Sequence, residues 1–147
     1  MFVERLLTVA ATRLVTIAGN AQVIEATKLL LDRRGDLVVV LGADGVLAGV
    51  LTKTDIVRQM SQCRGSGCCA AVSTVMTRSV VFCHPTDLLS AVWSTMKDRG
   101  LKNIPIVDED KHAIGVVNAR DALEILRSEV ELEEVLLRDY IMCVGYH

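Results

Sequence analysis

Two aspartates, Asp55 and Asp121, occupy the same place in a repeated segment, and their setting is where this chain could do chemistry. Gly49-Val50-Leu51-Thr52-Lys53-Thr54-Asp55 returns 66 residues later as Gly115-Val116-Val117-Asn118-Ala119-Arg120-Asp121. Each copy runs from a glycine through aliphatic residues to a small polar residue, with an acid three positions on. If the aliphatic stretch is a strand that turns directly into a helix, Thr52 or Asn118 falls at the N-cap and Asp55 or Asp121 at the third helical position. Two chemistries then compete. In one, cap and carboxylate satisfy each other's amides as a capping box. In the other, the free N–H groups of the helix start attract phosphate and the carboxylate accepts hydrogen bonds from a ribose diol. Spacing alone leaves both open. Lys53 and Arg120 shift the balance modestly toward a bound anion, because the helix dipole disfavours cations in the first turn.

The elements that must hold these corners also recur. In the second copy Ser79-Val80-Val81-Phe82-Cys83 reads as a short strand. His84-Pro85-Thr86-Asp87 opens a helix with Thr86 as a plausible N-cap, and Leu88, Leu89, Val92 and Met96 form its apolar face. Gly100 ends that helix. Ile104 to Val107 and Ala113 to Val117 are strands around the turn at Asp108–Lys111. In the first copy Leu14 to Ile17 precedes a helix carrying Val23, Ile24, Ala26, Thr27, Leu30 and Leu31 and ending at Gly35. Strands at Val38–Leu41 and Val46–Leu51 flank the hairpin turn Gly42-Ala43-Asp44-Gly45. Each half is thus β-α-β-β-α. Residues Gln62 to Ala71, rich in Gly, Ser and Cys, read as a linker. Asp121 to about Ile141 reads as one long helix with an apolar stripe at Leu123, Leu126, Val130, Leu136 and Leu137. It packs over its own domain or, in the sharper reading, over a partner subunit.

The bulk of the chain sets bounds. There are 147 residues, 51% of them hydrophobic, and the mean hydropathy is +0.39. No apolar run approaches the ~18 residues needed to span a bilayer, so the apolar content belongs in a core and a subunit interface. A net charge of −2 with no basic block argues against nucleic acid as a partner. The first residues do not read as a signal peptide. The expected compartment is cytoplasmic, with the five cysteines as reduced thiols. Cys63, Cys68 and Cys69 lack the spacing of a zinc site, and a redox or metal sensor there ranks below a linker with incidental thiols. No Ser-His-Asp set, phosphate-binding glycine loop or paired carboxylates are evident, so no catalytic residue and no metal ligand is assigned. Trp93 is either half-buried within the second half or a subunit contact.

The ordered, twice-occurring motifs resemble the CBS domain pair, named from cystathionine beta-synthase. The resemblance spans roughly residues 12–61 and 76–128. It rests on the glycine-to-aspartate segment at 49–55, on Asn103-Ile104-Pro105-Ile106-Val107-Asp108, and on Val75-Met76-Thr77 before the second copy. It implies an α+β fold of two pseudo-symmetric β-α-β-β-α repeats packed through their sheets, with an extended C-terminal helix. Residues 1–64 would hold the first repeat and an N-terminal segment. Residues 65–147 would hold the linker, the second repeat and that helix. It also implies two clefts. In one, Asp121 would hold a ribose, Asn118 and Arg120 would lie near phosphate, and Val116 would back the base. Thr16, Ile17, Ala18, Asp36, Leu37 and Val38 would form the opposite wall. The other cleft would use Val50, Thr52, Thr54 and Asp55, faced by Phe82, Cys83, Lys102, Asn103, Ile104 and Pro105, with Lys102 reaching toward the phosphates.

The ligand implied is an adenine nucleotide (AMP, ADP or ATP), with NAD and S-adenosylmethionine as further adenosyl candidates. The function implied is a non-catalytic regulatory module, not an enzyme, that forms a homodimer and signals to a separate target protein. A ligand-independent dimerisation scaffold is the alternative from another class. The two clefts should be unequal. Asn118 stands where the motif usually has Ser or Thr, and Asp36 stands where the other copy has Lys102.

Overall fold

The computed structural model describes residues 1–33, 37–62 and 70–145. Gly35, Asp36 and the linker cysteines Cys63, Cys68 and Cys69 lie outside the described residues. A 3-10 turn at Val3–Leu6 leads into α1 (Leu7–Thr12), and β1 (Thr16–Ala18), α2 (Val23–Arg33), β2 (Leu37–Leu41), β3 (Leu47–Thr52) and α3 (Lys53–Gln62) follow. The second half holds α4 (Val72–Val75), α5 (Leu89–Arg99), β4 (Asn103–Val107), β5 (Ala113–Asn118) and α6 (Ala119–Gly145). The two expected repeats and the long last helix are present, with the first strand of the second repeat reduced to a single bridge. β1 pairs parallel to β2, which pairs antiparallel to β3. β4 and β5 form a second antiparallel sheet in the matching register, Asn103 opposite Asn118 as Leu37 is opposite Thr52.

Strand alternation explains how the halves meet. Val38, Val40 and Leu51 point to the side covered by α2 and α3 and join the first repeat's core. Leu37, Val39 and Val50 point the other way and meet Val116 of β5 in a core between the two sheets. Val117, next along β5, turns back into the second repeat's core with Ile104 and Ile106. The branched side chains of both strand faces are therefore fully used, one against helices and one against the other repeat. Burying each of them contributes roughly 1.5–3 kcal/mol.

The N-terminal segment packs on the second repeat rather than on the first. Val3, Leu6 and Ala10 are fully buried with Leu89, Met96 and Val117. This explains two departures from the sequence reading. Helix α5 begins at Leu89, not near Thr86, and its N-cap Leu88 makes no side-chain cap bond. The Leu89 N–H donates instead to the Met1 carbonyl at 2.9 Å, and Phe2 bridges Leu88. A backbone partner from far along the chain replaces the local cap, and Thr86 stays in the turn that precedes the helix. Ser79 to Cys83 is not a full strand either. Only Cys83 bridges Ile106, because Thr77, six residues earlier, is bridged to Val50 in the other repeat and the chain between them crosses from one sheet to the other.

At the other end of α5, Gly100 takes the left-handed conformation (φ 65°). The Leu101 N–H then reaches the Met96 carbonyl at 2.8 Å and closes the last turn. Trp93 is half-buried against the second core. Helix α6 packs through Ala122, Ile125 and Leu126. Farther along, Val130, Leu132, Val135, Leu136 and Leu137 are exposed. No helix among the described residues is long and apolar enough to cross a membrane.

Candidate functional site

The motif glycines come first, because they set what can approach the two corners. A Cβ built on Gly49 would stand 2.7 Å from both the Thr77 carbonyl oxygen and the Met76 sulfur. One built on Gly115 would stand 3.0 Å from the Ala10 Cβ and 3.1 Å from its carbonyl carbon. Each glycine thus admits the segment that leads into the opposite repeat. Over Gly49, Val50 and Thr77 exchange backbone hydrogen bonds of 3.0 and 2.8 Å. The arriving segment also delivers a side chain to each aspartate: Thr77 to Asp55 and Arg13 to Asp121.

At the first corner the capping box forms. The Thr52 N–H donates to Asp55 Oδ2 at 3.0 Å, and the Asp55 N–H donates to Thr52 Oγ1 at 3.3 Å. The hydroxyls of Thr52 and Thr77 add bonds of 3.2 and 3.1 Å to the same carboxylate. Arg58 Nη1 lies 3.5 Å from Asp55 Oδ1. Asp55 is 6% exposed and is the one buried charged side chain among the described residues. Its hydrogen bonds account for how a carboxylate is tolerated there.

The second corner is built differently. Asn118 accepts the Arg120 N–H at 3.0 Å as an N-cap and donates its amide to Asn103 Oδ1 at 3.0 Å. Asp121 takes no part in a box. It is held in a two-pronged ion pair by Arg13, which follows α1: Nη2 reaches Oδ1 at 2.9 Å and Nε reaches Oδ2. The hydrogen bond to Asp121 raises the Arg13 pKa above its ordinary value, against an opposing effect of burial.

Between the repeats a cavity of about 520 Å³ opens beside the first corner. The first repeat contributes Leu37, Val50, Thr52, Lys53 and Thr54. The second contributes Thr77, Ser79, Val80 and Val81, the end of α5 with Gly100 and Leu101, and then Lys102, Asn103 and Pro105. Of the residues singled out by sequence, Val50, Thr52, Thr54, Lys102, Asn103 and Pro105 come together here, and Asp55 lies behind Thr52 and Thr77. Leu37, which the resemblance assigned to the other cleft, also lines this one. Phe82, Cys83 and Ile104 border a separate cavity of about 250 Å³ against α5. There burial, with a smaller effect of Asp87, pushes the Cys83 thiol up to about 12.

On the other side, Thr16, Ile17 and Ala18 form β1, with Thr16 and Ala18 exposed. Val38 sends its side chain into the helix-covered core and is fully buried, paired with Leu51, so it is not open to a ligand. Val116 is buried between the sheets, and Asn118 and Arg120 stand at the Asp121 corner. The residues the sequence leaves out of the site are Arg13 and Thr77 as partners of the two aspartates, and Ser79–Val81 as cavity lining; Lys53, whose place in the first helical turn favours an anion, lines the cavity as well. One signal was available: Arg13 and Ser79 are 66 residues apart, so the repeat itself pairs them.

A family model for the CBS domain matches residues 6–62 and 72–128. The chain belongs to the CBS domain family. The choline transport ATP-binding protein OpuBA of Bacillus subtilis (strain 168) is 30% identical over 132 residues, which is 90% of this chain and 33% of that protein. The L-aspartate semialdehyde sulfurtransferase of Methanocaldococcus jannaschii is 24% identical over 107 residues, 73% of this chain and 20% of that protein. The chain therefore spans only a fifth to a third of the length of these relatives. Among solved structures, the CBS domain pair of protein MJ0100, in complex with 5′-methylthioadenosine and S-adenosyl-L-methionine, superposes with a TM-score of 0.74 at 21% identity. It covers 88% of this chain and 98% of that one. The tandem arrangement of repeats is thus shared as a fold.

Proposed function

We propose that this CBS pair is a non-catalytic regulatory module that takes an adenine nucleotide into the cleft between its repeats. One observation carries the reading: the cavity of about 520 Å³ is walled by both repeats and holds two lysines, Lys53 and Lys102, among hydroxyls and aliphatic side chains. Its size falls in the ordinary range for small-molecule sites, and its mix of apolar walls with a few polar groups is what such sites use. Val50, Val80 and Val81 would clamp the base. Lys102 and the start of α3 would meet phosphate. Asp55 would grip the ribose once sugar hydroxyls replace the Thr77 hydroxyl at its carboxylate. The binding of adenosyl ligands by the MJ0100 pair supports the same ligand class.

Because both repeats wall the cavity, a bound nucleotide favours the relative arrangement that fits it. That preference between arrangements is what a target protein can read. A homodimer belongs to the same proposal. Ile24 and Leu31 on α2, with Val57 and Met60 on α3, leave exposed apolar side chains on neighbouring helices, a face suited to a second copy. Sedimentation equilibrium tests it, a monomer being the contrary result.

The scaffold reading keeps one specific observation in its favour: both motif aspartates already have protein partners. Calorimetry with AMP, ATP, NAD and S-adenosylmethionine separates the two. Heat that falls in a folded Lys102→Glu protein is expected for the nucleotide module. No heat with any of the four leaves the scaffold.

A further inference from the structure

The two corners differ most at one pair of positions. Ser79 lines the open cavity, and its counterpart 66 residues earlier, Arg13, fills the equivalent place by clasping Asp121. We infer that Arg13 decides which ligands the Asp121 corner accepts: only a riboside that also carries an anionic group enters, because the guanidinium and the carboxylate must both exchange partners. This rests on the nucleotide reading above and extends it to the second cleft.

Three features carry it. First, Arg13 cannot drift far. Helix α1 is pressed on β5, with Ala10 seated over Gly115 and buried beside Val117, and Arg13 follows directly at its C-terminal end. Second, a ribose diol can satisfy only one member of the pair. Its hydroxyls donate to the Asp121 carboxylate but leave the guanidinium fork without an anion. That fork matches phosphate as well as it matches carboxylate. A neutral nucleoside therefore loses a charge pair on entry, whereas a nucleotide replaces it. Third, the Asn118 oxygen caps α6 and one of its two amide hydrogens holds Asn103, which leaves a single neutral N–H for phosphate. The charge of the phosphate is met by the cationic groups at this corner. The side chain of Arg13 is 41% exposed and that of Asp121 is 14% exposed. The arginine is thus the member an incoming anion meets first.

The test uses AMP and adenosine as probes. Ser79→Trp obstructs the open cavity with an indole, and Lys102→Glu in the same protein repels phosphate from it, so that the Asp121 corner reports alone. Thr54→Trp is the substitute if the first variant lacks a cooperative melt. In either background, AMP should bind at least roughly tenfold more tightly than adenosine by calorimetry. Arg13→Gln should bring the two ligands to within about threefold of each other, with adenosine binding more tightly than before because Asp121 is released. Arg13→Lys, which keeps the charge but loses the fork, should fall between. An AMP-to-adenosine ratio unchanged in Arg13→Gln overturns the role of Arg13 and leaves the nucleotide reading intact. Absence of heat from both probes in the blocked background and in its Arg13→Gln variant, with heat kept by the unsubstituted protein, overturns the Asp121 site alone; absence of heat in the unsubstituted protein as well overturns both.

Discussion

Replacing Gly49 by alanine isolates the contact that brings the repeats together. The added Cβ would stand 2.7 Å from the Thr77 carbonyl oxygen, closer than carbon and oxygen can stay. The Met76 sulfur at the same distance is the end of a flexible side chain and can swing away, but the carbonyl is backbone. It accepts the Val50 N–H at 3.0 Å, so moving it stretches that bond and its 2.8 Å reciprocal. The same movement draws the Thr77 hydroxyl off Asp55. Overpacking of this kind costs about 1–3 kcal/mol, and weakening the bonded bridge costs about 1 kcal/mol more. Alanine returns roughly 0.5–1 kcal/mol through the lower entropy of the unfolded chain. The net is a loss of about 2–3 kcal/mol, which for a domain of this size lowers the melting temperature by roughly 5–10 °C. Gly115→Ala is the internal control. Its Cβ would lie 3.0–3.2 Å from Ala10 atoms, and α1 can withdraw by a few tenths of an ångström, so about 1 kcal/mol is expected. Urea titration and thermal melts of both variants read the difference. Equal losses, or a neutral Gly49→Ala, would refute the claim that the motif glycine exists to admit the crossing segment.

Other outcomes follow from the same geometry. Asp55→Ala strands the Thr52 N–H and the Thr77 hydroxyl and should cost about 2–3 kcal/mol in urea unfolding. Asp121→Ala removes a pair with a largely solvated arginine and should cost about 1 kcal/mol or less, so a larger loss at Asp121 would reverse the assignment of roles. Cys83 should resist a thiol reagent at pH 8 in the native protein and react on unfolding, with peptide mass analysis as the readout, since its folded pKa is pushed up to about 12. The same shift sets a pH dependence. Between pH 9 and about 12 the unfolded thiol has lost its proton while the folded one keeps it, so this group's contribution makes stability fall as pH rises through that window. Relative to Cys83→Ala, the parent should lose more stability between pH 9 and 10.5, and parallel profiles would contradict the burial. Leu136→Lys, on the exposed part of α6, should change stability by no more than about 0.5 kcal/mol.

Much of the architecture was legible because it repeats. The short apolar, largely branched runs at 38–41 and 46–51 and their copies at 104–107 and 113–117, bounded by turn residues, read as strands buried on both faces. The abrupt change to polar residues at Thr52 and Asn118 marks the helix starts. Gly100 closes α5 through a local effect that needs no tertiary partner. Local rules failed where distant backbone intervened. Thr86 carries the right side chain for a cap, yet the Met1 carbonyl serves the start of α5, and the Val80–Val81 segment crosses between sheets instead of pairing in one.

The candidate site divides the same way. Sequence determined that two equivalent strand-to-helix corners exist, each with an acid at the third helical position, because spacing along one chain fixes where a side chain falls on a helix. Only the tertiary structure decided what each acid meets. Thr77 and Arg13 stand 22 and 108 residues from their partners. Which of them arrives depends on how two curved sheets stack and on where a glycine lets another backbone pass. Identical spacing therefore yields a buried capping box beside an open cavity at one corner and an arginine clasp at the other.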